Sequence, residues 1–299
     1  MLTLERLRRK IQSAEDLHAI VKTMKTLAAI NVRHYEEAVE AVSGYYRTIE
    51  MGLQVVLQKG EGEVVSKISG KEKTAGCAVV FGSDHGLCGG FNSQITSYAL
   101  ESMYSKSIAH ERYVLLCVGV RAADLIEERG HPVEEIFPVP ASHSELVETG
   151  YKIVTALNSL EEKGKITKVI LFHHKLLSST SCKPQTAHLL PLDQEWLDAL
   201  AGKKWPSHII PTFTMERRKL FSTLVRQYIF VLLYRALAES MASENASRLS
   251  SMQTAEKNIK ETVEGLNMSY RHQYQTSITE ELLDIVAGFE ALQSEGKQF

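Results

Sequence analysis

Two long helical periods frame the chain. From Leu4 the apolar positions run Leu4, Leu7, Ile11, Ala14, Leu17, Val21, Met24, Ala28, Val32, Tyr35, Val39, Val42, Tyr46, Ile49, Leu53 and Val56. Steps of three and four place them on one face of an α-helix. At the other end Leu249, Met252, Ile259, Val263, Leu266, Tyr270, Tyr274, Ile278, Leu282, Ile285, Phe289 and Leu292 form a second stripe, inside a proline-free run over 215–291. A helix of that length would reach roughly 115 Å, whereas the central part of the chain predicts a domain only ~35–40 Å across. The second stripe therefore needs cover from outside that domain, and the N-terminal helix supplies it. One helix enters the central region and the other leaves it, so the expected pairing is an antiparallel coiled coil. The steps from Tyr270 to Tyr274, Ile278 and Leu282 are all fours, a stutter expected to unwind the supercoil locally.

Between the helices the pattern changes. Short β-rich runs at 77–81, 113–118, 133–139 and 169–172 alternate with helical periods at 93–105, 121–129 and 144–160, and a last, edge strand is expected at 186–190. Continuous apolar strands alternating with helices predict an α/β domain, Rossmann-like, with a mostly parallel sheet covered on both faces. All seven prolines fall between Pro132 and Pro211, which leaves both flanks free for uninterrupted helix. Glycines at 60, 62 and 70 mark the turn out of the first helix, and 193–211 reads as a linker. The expected organisation is a coiled-coil helix over 1–58, a central α/β domain over 75–211 and a coiled-coil helix over 215–292.

Composition narrows the function. A net charge of −2 over 299 residues gives no reason to expect nucleic-acid binding. The charge is uneven: residues 1–33 carry seven bases and three acids, and residues 271–299 carry two bases and five acids. An antiparallel pairing brings these opposite signs together, although each exposed pair contributes little. No run reads as a membrane span or a signal peptide, and the mature protein is expected to begin at Met1. Cys77, Cys88, Cys117 and Cys182 are widely spaced without C-x-x-C, which points to a reducing compartment rather than to disulfides or zinc. His85, His173, His174 and His188 show no ligand spacing, so no metal site is expected.

One turn could carry chemistry. Gly82-Ser83-Asp84-His85-Gly86-Leu87-Cys88-Gly89-Gly90-Phe91-Asn92 follows the first strand, where α/β domains cradle phosphates on backbone N–H groups. It has neither G-K-[ST] nor G-x-G-x-x-G. Asn92 or Ser93 is available as a helix N-cap, and a tight structural turn accounts for the glycines. Asp84, His85 and Cys88 offer no oriented base–nucleophile pair. No catalytic residue and no cofactor is therefore expected.

That turn and the helices together resemble the gamma subunit of the F-type ATP synthase. Ser83-Asp84-His85-Gly86-Leu87-Cys88-Gly89-Gly90-Phe91-Asn92 is similar to the family's S-T-D-R-G-L-C-G-G-L-N, and Ile20-Val21-Lys22-Thr23-Met24 followed by Ala28-Ala29 to its I-T-K-A-M and A-A. Ala242-Ser243-Glu244-Asn245-Ala246-Ser247-Arg248-Leu249 is similar to A-S-E-x-A-A-R-M, and Ser277-Ile278-Thr279-Glu280-Glu281-Leu282-Leu283-Asp284-Ile285-Val286-Ala287-Gly288 to S-I-T-x-E-L-x-E-I-V-x-G. Asp16, Leu17, Tyr274 and Phe289 depart from the family pattern, as in a divergent, alternate branch. The resemblance implies a non-catalytic rotor shaft coupling ion flow to ATP synthesis or hydrolysis. Its implied partners are the alpha and beta subunits around the coil tip, the epsilon subunit and the membrane c-ring, and its implied place is the cytoplasmic face of a bacterial or archaeal membrane. The coupling ion, proton or sodium, is set by ligands in other subunits. Rival readings are a nucleotide-dependent enzyme dimerised by its helices and a coiled-coil tether.

Within this reading the expected subunit-interface residues are Lys22, Lys25, Gln275 and Thr279. Antiparallel pairing puts all four in one region of the coil. Exposed lysines can exchange acidic partners on a moving surface, and Gln275 and Thr279, at i and i+4, share one helix face.

Overall fold

The computed structural model describes residues 4–58, 75–104, 113–178, 181–206 and 211–295. The turn expected around 60–71 lies outside these, as do the side chains of Phe289 and Leu292. In order, the elements are α1 (Leu4–Gln58), β1 (Ala75–Phe81), α2 (Phe91–Tyr104), β2 (Tyr113–Val118), α3 (Val120–Glu127) and β3 (Glu135–Phe137). There follow α4 (His143–Glu162), β4 (Ile166–Ser178), β5 (Ser181–Leu190), α5 (Gln194–Gly202) and α6 (Arg217–Glu295). Two compact units result. One is Ala28–Ser250, and the other joins the outer part of α1, to Leu27, with α6 from Ser251.

In the larger unit the sheet order is β3-β2-β1-β4-β5, parallel except for the antiparallel edge strand β5. The sheet is mostly parallel, as the strand–helix alternation predicts. Side chains alternate across it. Ala78, Val80, Leu115 and Cys117 pack on Ile95, Ala99, Ala122 and Ile126 of α2 and α3. Cys77, Val79, Phe81, Leu116 and Val118 face the other way, onto α4 and onto Leu233, Leu237, Ala238 and Met241 of α6. A helix of the coiled coil is thus also core of the α/β domain. One stretch of α6 is apolar enough, by length and composition, to cross a membrane. That stretch is 39 % buried in the folded chain, and the residues of α6 between Val231 and Ala246 pack on the sheet and on α1, most of them buried.

The two long helices run antiparallel in each unit. In the larger one, Asn31 meets Asn245, Tyr45 meets Gln227, and Arg217 Nε donates to the carbonyl of Val56. Ile49, Leu53 and Val56 of α1 make a third core with Phe221, Tyr228 and Val231 of α6 and Leu200 of α5. Helix α5 stands where a linker was expected. Asp193 caps it by accepting from the Glu195 amide at 2.9 Å, and Leu197 and Leu200, three apart, are buried. Its nine residues are too few for a clear period, and Pro191 and Pro206 on either side read as irregular chain.

In the smaller unit the seam differs from the expected one at two places. Leu17 is 49 % exposed and His18 takes the inward position. Strict alternation of three and four from Ile11 runs through Ala14, His18, Val21, Lys25 and Ala28. Selecting by apolar identity picks Leu17; the helix follows the geometric period. On α6 the less exposed positions include 252, 256, 259, 263, 266, 270, 273 and 277, flanked by 251, 255 and 267, and Tyr274, Ile278, Leu282 and Ile285 are exposed. The half-buried seam therefore steps from Tyr270 to Gln273, and the stutter is absent from it. Glu256 contacts both His18 and Lys25. Equal steps along the two antiparallel helices from those contacts bring Leu4 opposite 270–277. Beyond that the described part of α1 has no residue to offer α6.

Burial ranks these positions energetically. Leu233→Ala, at a fully buried site, is expected to lower stability to urea by ~2–5 kcal/mol. Ile278→Ala, on the uncovered end of α6, is expected to change it by less than ~0.5 kcal/mol in the isolated chain.

Candidate functional site

The glycine-rich turn leaves β1 at the switch point of the sheet, between β2 and β4, where open α/β sheets bind ligands. Here the protein's own side chains take the places a ligand would use. The Asp84 carboxylate accepts from the amide of Val120, the first residue of α3, and from that of Val139, both at 2.9 Å. An anion at a helix N-terminus is favourable, and the chain supplies that anion itself. The Ser83 amide donates to Asn92 Oδ1 at 2.9 Å, Asn92 Nδ2 donates to Ser83 Oγ at 2.7 Å, and the Ser83 hydroxyl donates to the carbonyl of His85. Asn92 is inside α2 and straps the turn, so it is not the N-cap. A Cβ on Gly119, which has φ +99°, would lie 2.6 Å from the Ser83 backbone, and one on Gly82 would lie 2.2 Å from Ala122 Cβ. The turn is too closely packed to admit a phosphate beneath it.

Helix α6 grips the same turn from below. Ser240 Oγ donates to the carbonyl of Phe81, and Ser247 Oγ to that of Cys88 at 2.6 Å. Glu244 is buried beside it, paired to Arg248 at 2.6 Å. Burial raises the Glu244 pKa, against the opposing pull of Arg248.

The titratable groups of the sheet are held in unreactive forms. Burial pushes the thiols of Cys77 and Cys117 up to about 12 and raises those of Cys88 and Cys182, so none is a thiolate nucleophile. His174 is fully buried and stacks on Phe91 at 4.2 Å. Burial, then its neighbour His173, lowers its pKa to about 3. His173 bonds Glu239 at 3.1 Å, and Glu239 also accepts from Arg235 at 2.8 Å. Burial raises the Glu239 pKa, but these partners outweigh it and the net shift is downward. Among the described residues no group of three or more His, Cys, Asp or Glu is arranged to hold a metal ion.

The four residues singled out for the coil all lie in the smaller unit. Lys22 is exposed. Lys25 sits at a seam position, about 30 % exposed, with its ammonium 2.5 Å from Glu256 Oε2. Gln275 and Thr279 are both exposed, and the Thr279 hydroxyl donates to the Gln275 carbonyl at 2.9 Å. Beside them the end of α6 displays Ile278, Leu282, Leu283, Ile285 and Val286, each between 41 and 68 % exposed. Ile278, Leu282 and Ile285 belong to the second stripe of the sequence, whose spacing is that of a buried seam. Only the register shows that nothing in the described chain covers this end.

These features define a class: a two-helix shaft fused to an α/β domain whose ligand crevice is filled by its own side chains. The comparisons place it further. The profile of the ATP synthase family that matches this chain spans residues 3–292. An ATP synthase gamma chain from Allorhizobium ampelinum is 31 % identical, covering 98 % of this chain and all of its own. One from Synechococcus is 29 % identical with the same coverage. Among solved structures, a chain of the Euglena gracilis mitochondrial ATP synthase, OSCP/F1/c-ring, superposes with a TM-score of 0.70 at 16 % identity, over 99 % of this chain and 96 % of its own. This chain belongs to the ATP synthase gamma chain family.

The clamp at the turn is testable by substitution. Asp84→Ala leaves two backbone donors without an acceptor and is expected to cost ~1–3 kcal/mol. Asp124→Ala removes only an exposed contact with Arg121 at 3.9 Å and is expected to cost less than ~0.5 kcal/mol. Thermal melting of the two variants separates these outcomes.

Proposed function

We propose that this chain is the central shaft of an F-type ATP synthase, coupling ion flow through a membrane c-ring to ATP synthesis or hydrolysis in an alpha-beta hexamer, without a catalytic group of its own. The observation that carries this reading is the end of α6. A helix with five large apolar side chains exposed and no partner in the described chain needs a surrounding surface, and the sleeve of alpha and beta subunits supplies one. The relatives are ATP synthase gamma chains, and the structural neighbours are described as rotor, F1/c-ring and central stalk. Epsilon and the c-ring are the partners proposed for the α/β domain and the base of the coil, which places the chain peripherally on the cytoplasmic face of the membrane. The domain division proposed is helix 1–58, α/β domain 75–211 and helix 215–292. A nucleotide-dependent enzyme is disfavoured by the turn itself, where Asp84 already holds the amides a phosphate would need.

Lys22, Lys25, Gln275 and Thr279 are the proposed grip on the hexamer, beside the apolar stripe, with Lys25 also paired to Glu256 within the coil. In complexes reconstituted with alpha and beta subunits, Gln275→Ala with Thr279→Ala removes two hydrogen-bonding side chains worth ~0.5–1.5 kcal/mol each. Coupled turnover is expected to fall about tenfold, and Lys22→Ala to weaken it less. Unchanged turnover and ion pumping in both would place the grip elsewhere. The isolated chain is expected to hydrolyse no ATP, and activity abolished by Asp84→Ala would restore the enzyme reading.

A further inference from the structure

We infer that His18, Lys25 and Glu256 form a two-sided strut that fixes the axial position of one helix of the coil against the other. The three residues stand at seam positions, where apolar side chains are the rule. Glu256 Oε2 lies 2.5 Å from Lys25 Nζ, and Glu256 Oε1 lies 3.7 Å from His18 Nε2 and 3.4 Å from Lys260 Nζ of its own helix. Its side chain is only 13 % exposed, while those of Lys25 and His18 are about 30 % exposed and that of Lys260 is mostly in solvent. The hydrogen bond from Lys25 holds its carboxyl below the usual carboxylate range.

The geometry gives the cluster its direction. His18 and Lys25 are one heptad apart on α1, ~10 Å along the helix axis, and they reach Glu256 from its two axial sides. Sliding α6 along α1 in either direction stretches one of these contacts. The apolar seam around them resists sliding poorly: Ala14 and Ala28 are small, and dispersion contacts between smooth surfaces have little directional preference. A shaft that transmits torque through two helices must resist shear along their seam, and here Glu256 accepts a hydrogen bond across the seam from Lys25 and lies within ion-pair distance, not hydrogen-bond distance, of His18. Buried polar groups in coiled coils are best attested in such positional roles, at some cost in stability. The part this strut plays in rotation rests on the shaft reading; its existence does not.

The test uses the full-length chain, in a Cys182→Ser background because the other three cysteines are buried. Spin labels at Ser13→Cys and Gln253→Cys, both exposed positions on opposite helices, report the axial offset by pulsed electron resonance. The parent is expected to give one narrow distance. Lys25→Ala and Glu256→Ala are each expected to broaden or shift it by up to one helical turn, ~5 Å. Lys25→Arg, and the exchange Lys25→Glu with Glu256→Lys, are expected to restore it. A merely space-filling role would not be rescued by the exchange. Parent-like distances in both single variants, or no recovery in the exchange, overturn the strut. In reconstituted complexes the ratio of ions moved to ATP hydrolysed is expected to drop in the single variants and recover in the exchange. Broadened distances with an unchanged ratio overturn its part in coupling. Failure of the parent chain itself to assemble with alpha and beta subunits refutes the shaft reading and leaves the distance measurement to decide the strut.

Discussion

The structure depends on a single helix serving two cores. Between Val231 and Ala246, α6 presents Leu233, Leu237, Ala238 and Met241 to the sheet, and near this segment Asn31 and Tyr35 of α1 approach it from the coil. A surface helix needs only one apolar stripe; this segment is buried almost all round. The arrangement joins the α/β domain to the coil without a linker. Any rotation of α6 at this level would drag the sheet with it, because the alternative is to expose a core.

The glycine-rich turn belongs to that same junction. Its form, strand to glycines to helix at the sheet's switch point, is that of a phosphate loop, and its residues do something else. Asp84 neutralises the start of α3, Asn92 closes the turn on itself, and the carbonyl of Cys88 accepts from Ser247 of α6. A turn with this many internal bonds is rigid, and its rigidity is passed to the shaft through Ser240 and Ser247. Fold topology alone would have assigned a binding site here; the side chains assign a bolt.

Much of this was legible in the sequence, and the failures have physical causes. The two helical periods, the parallel sheet and the edge position of the last strand follow from spacing and proline placement. Helix α5 did not, because nine residues between prolines carry too little periodic signal. Leu17 reads as a seam residue because it is apolar, whereas the alternation of three and four selects His18, and with it Lys25, as inward positions. The exposed end of α6 reads as a buried stripe, since Ile278, Leu282 and Ile285 are spaced for burial whichever molecule buries them. Sequence periodicity identifies a face that must be covered, and only register identifies what covers it. The strap role of Asn92 depends on a partner nine residues back in a folded turn and has no signature in spacing at all.

Polar residues of α6 fix the angle of the junction. Apolar contacts hold a helix against a surface but resist rolling weakly, since one apolar side chain substitutes for another with modest loss. Hydrogen bonds are directional and do not substitute in this way. Within nine residues α6 bonds four separate elements: Glu239 to His173 on β4, Ser240 to the carbonyl of Phe81 on β1, Asn245 to Asn31 on α1, and Ser247 to the turn at Cys88. Ser240 and Ser247, one heptad apart, share a face, while Glu239 and Asn245 point in two other directions around the helix, so no roll about its axis preserves all four. The hydrophobic core makes the junction stable, and the ring of polar bonds sets its angle. A chain whose work is to carry angular position needs the second as much as the first.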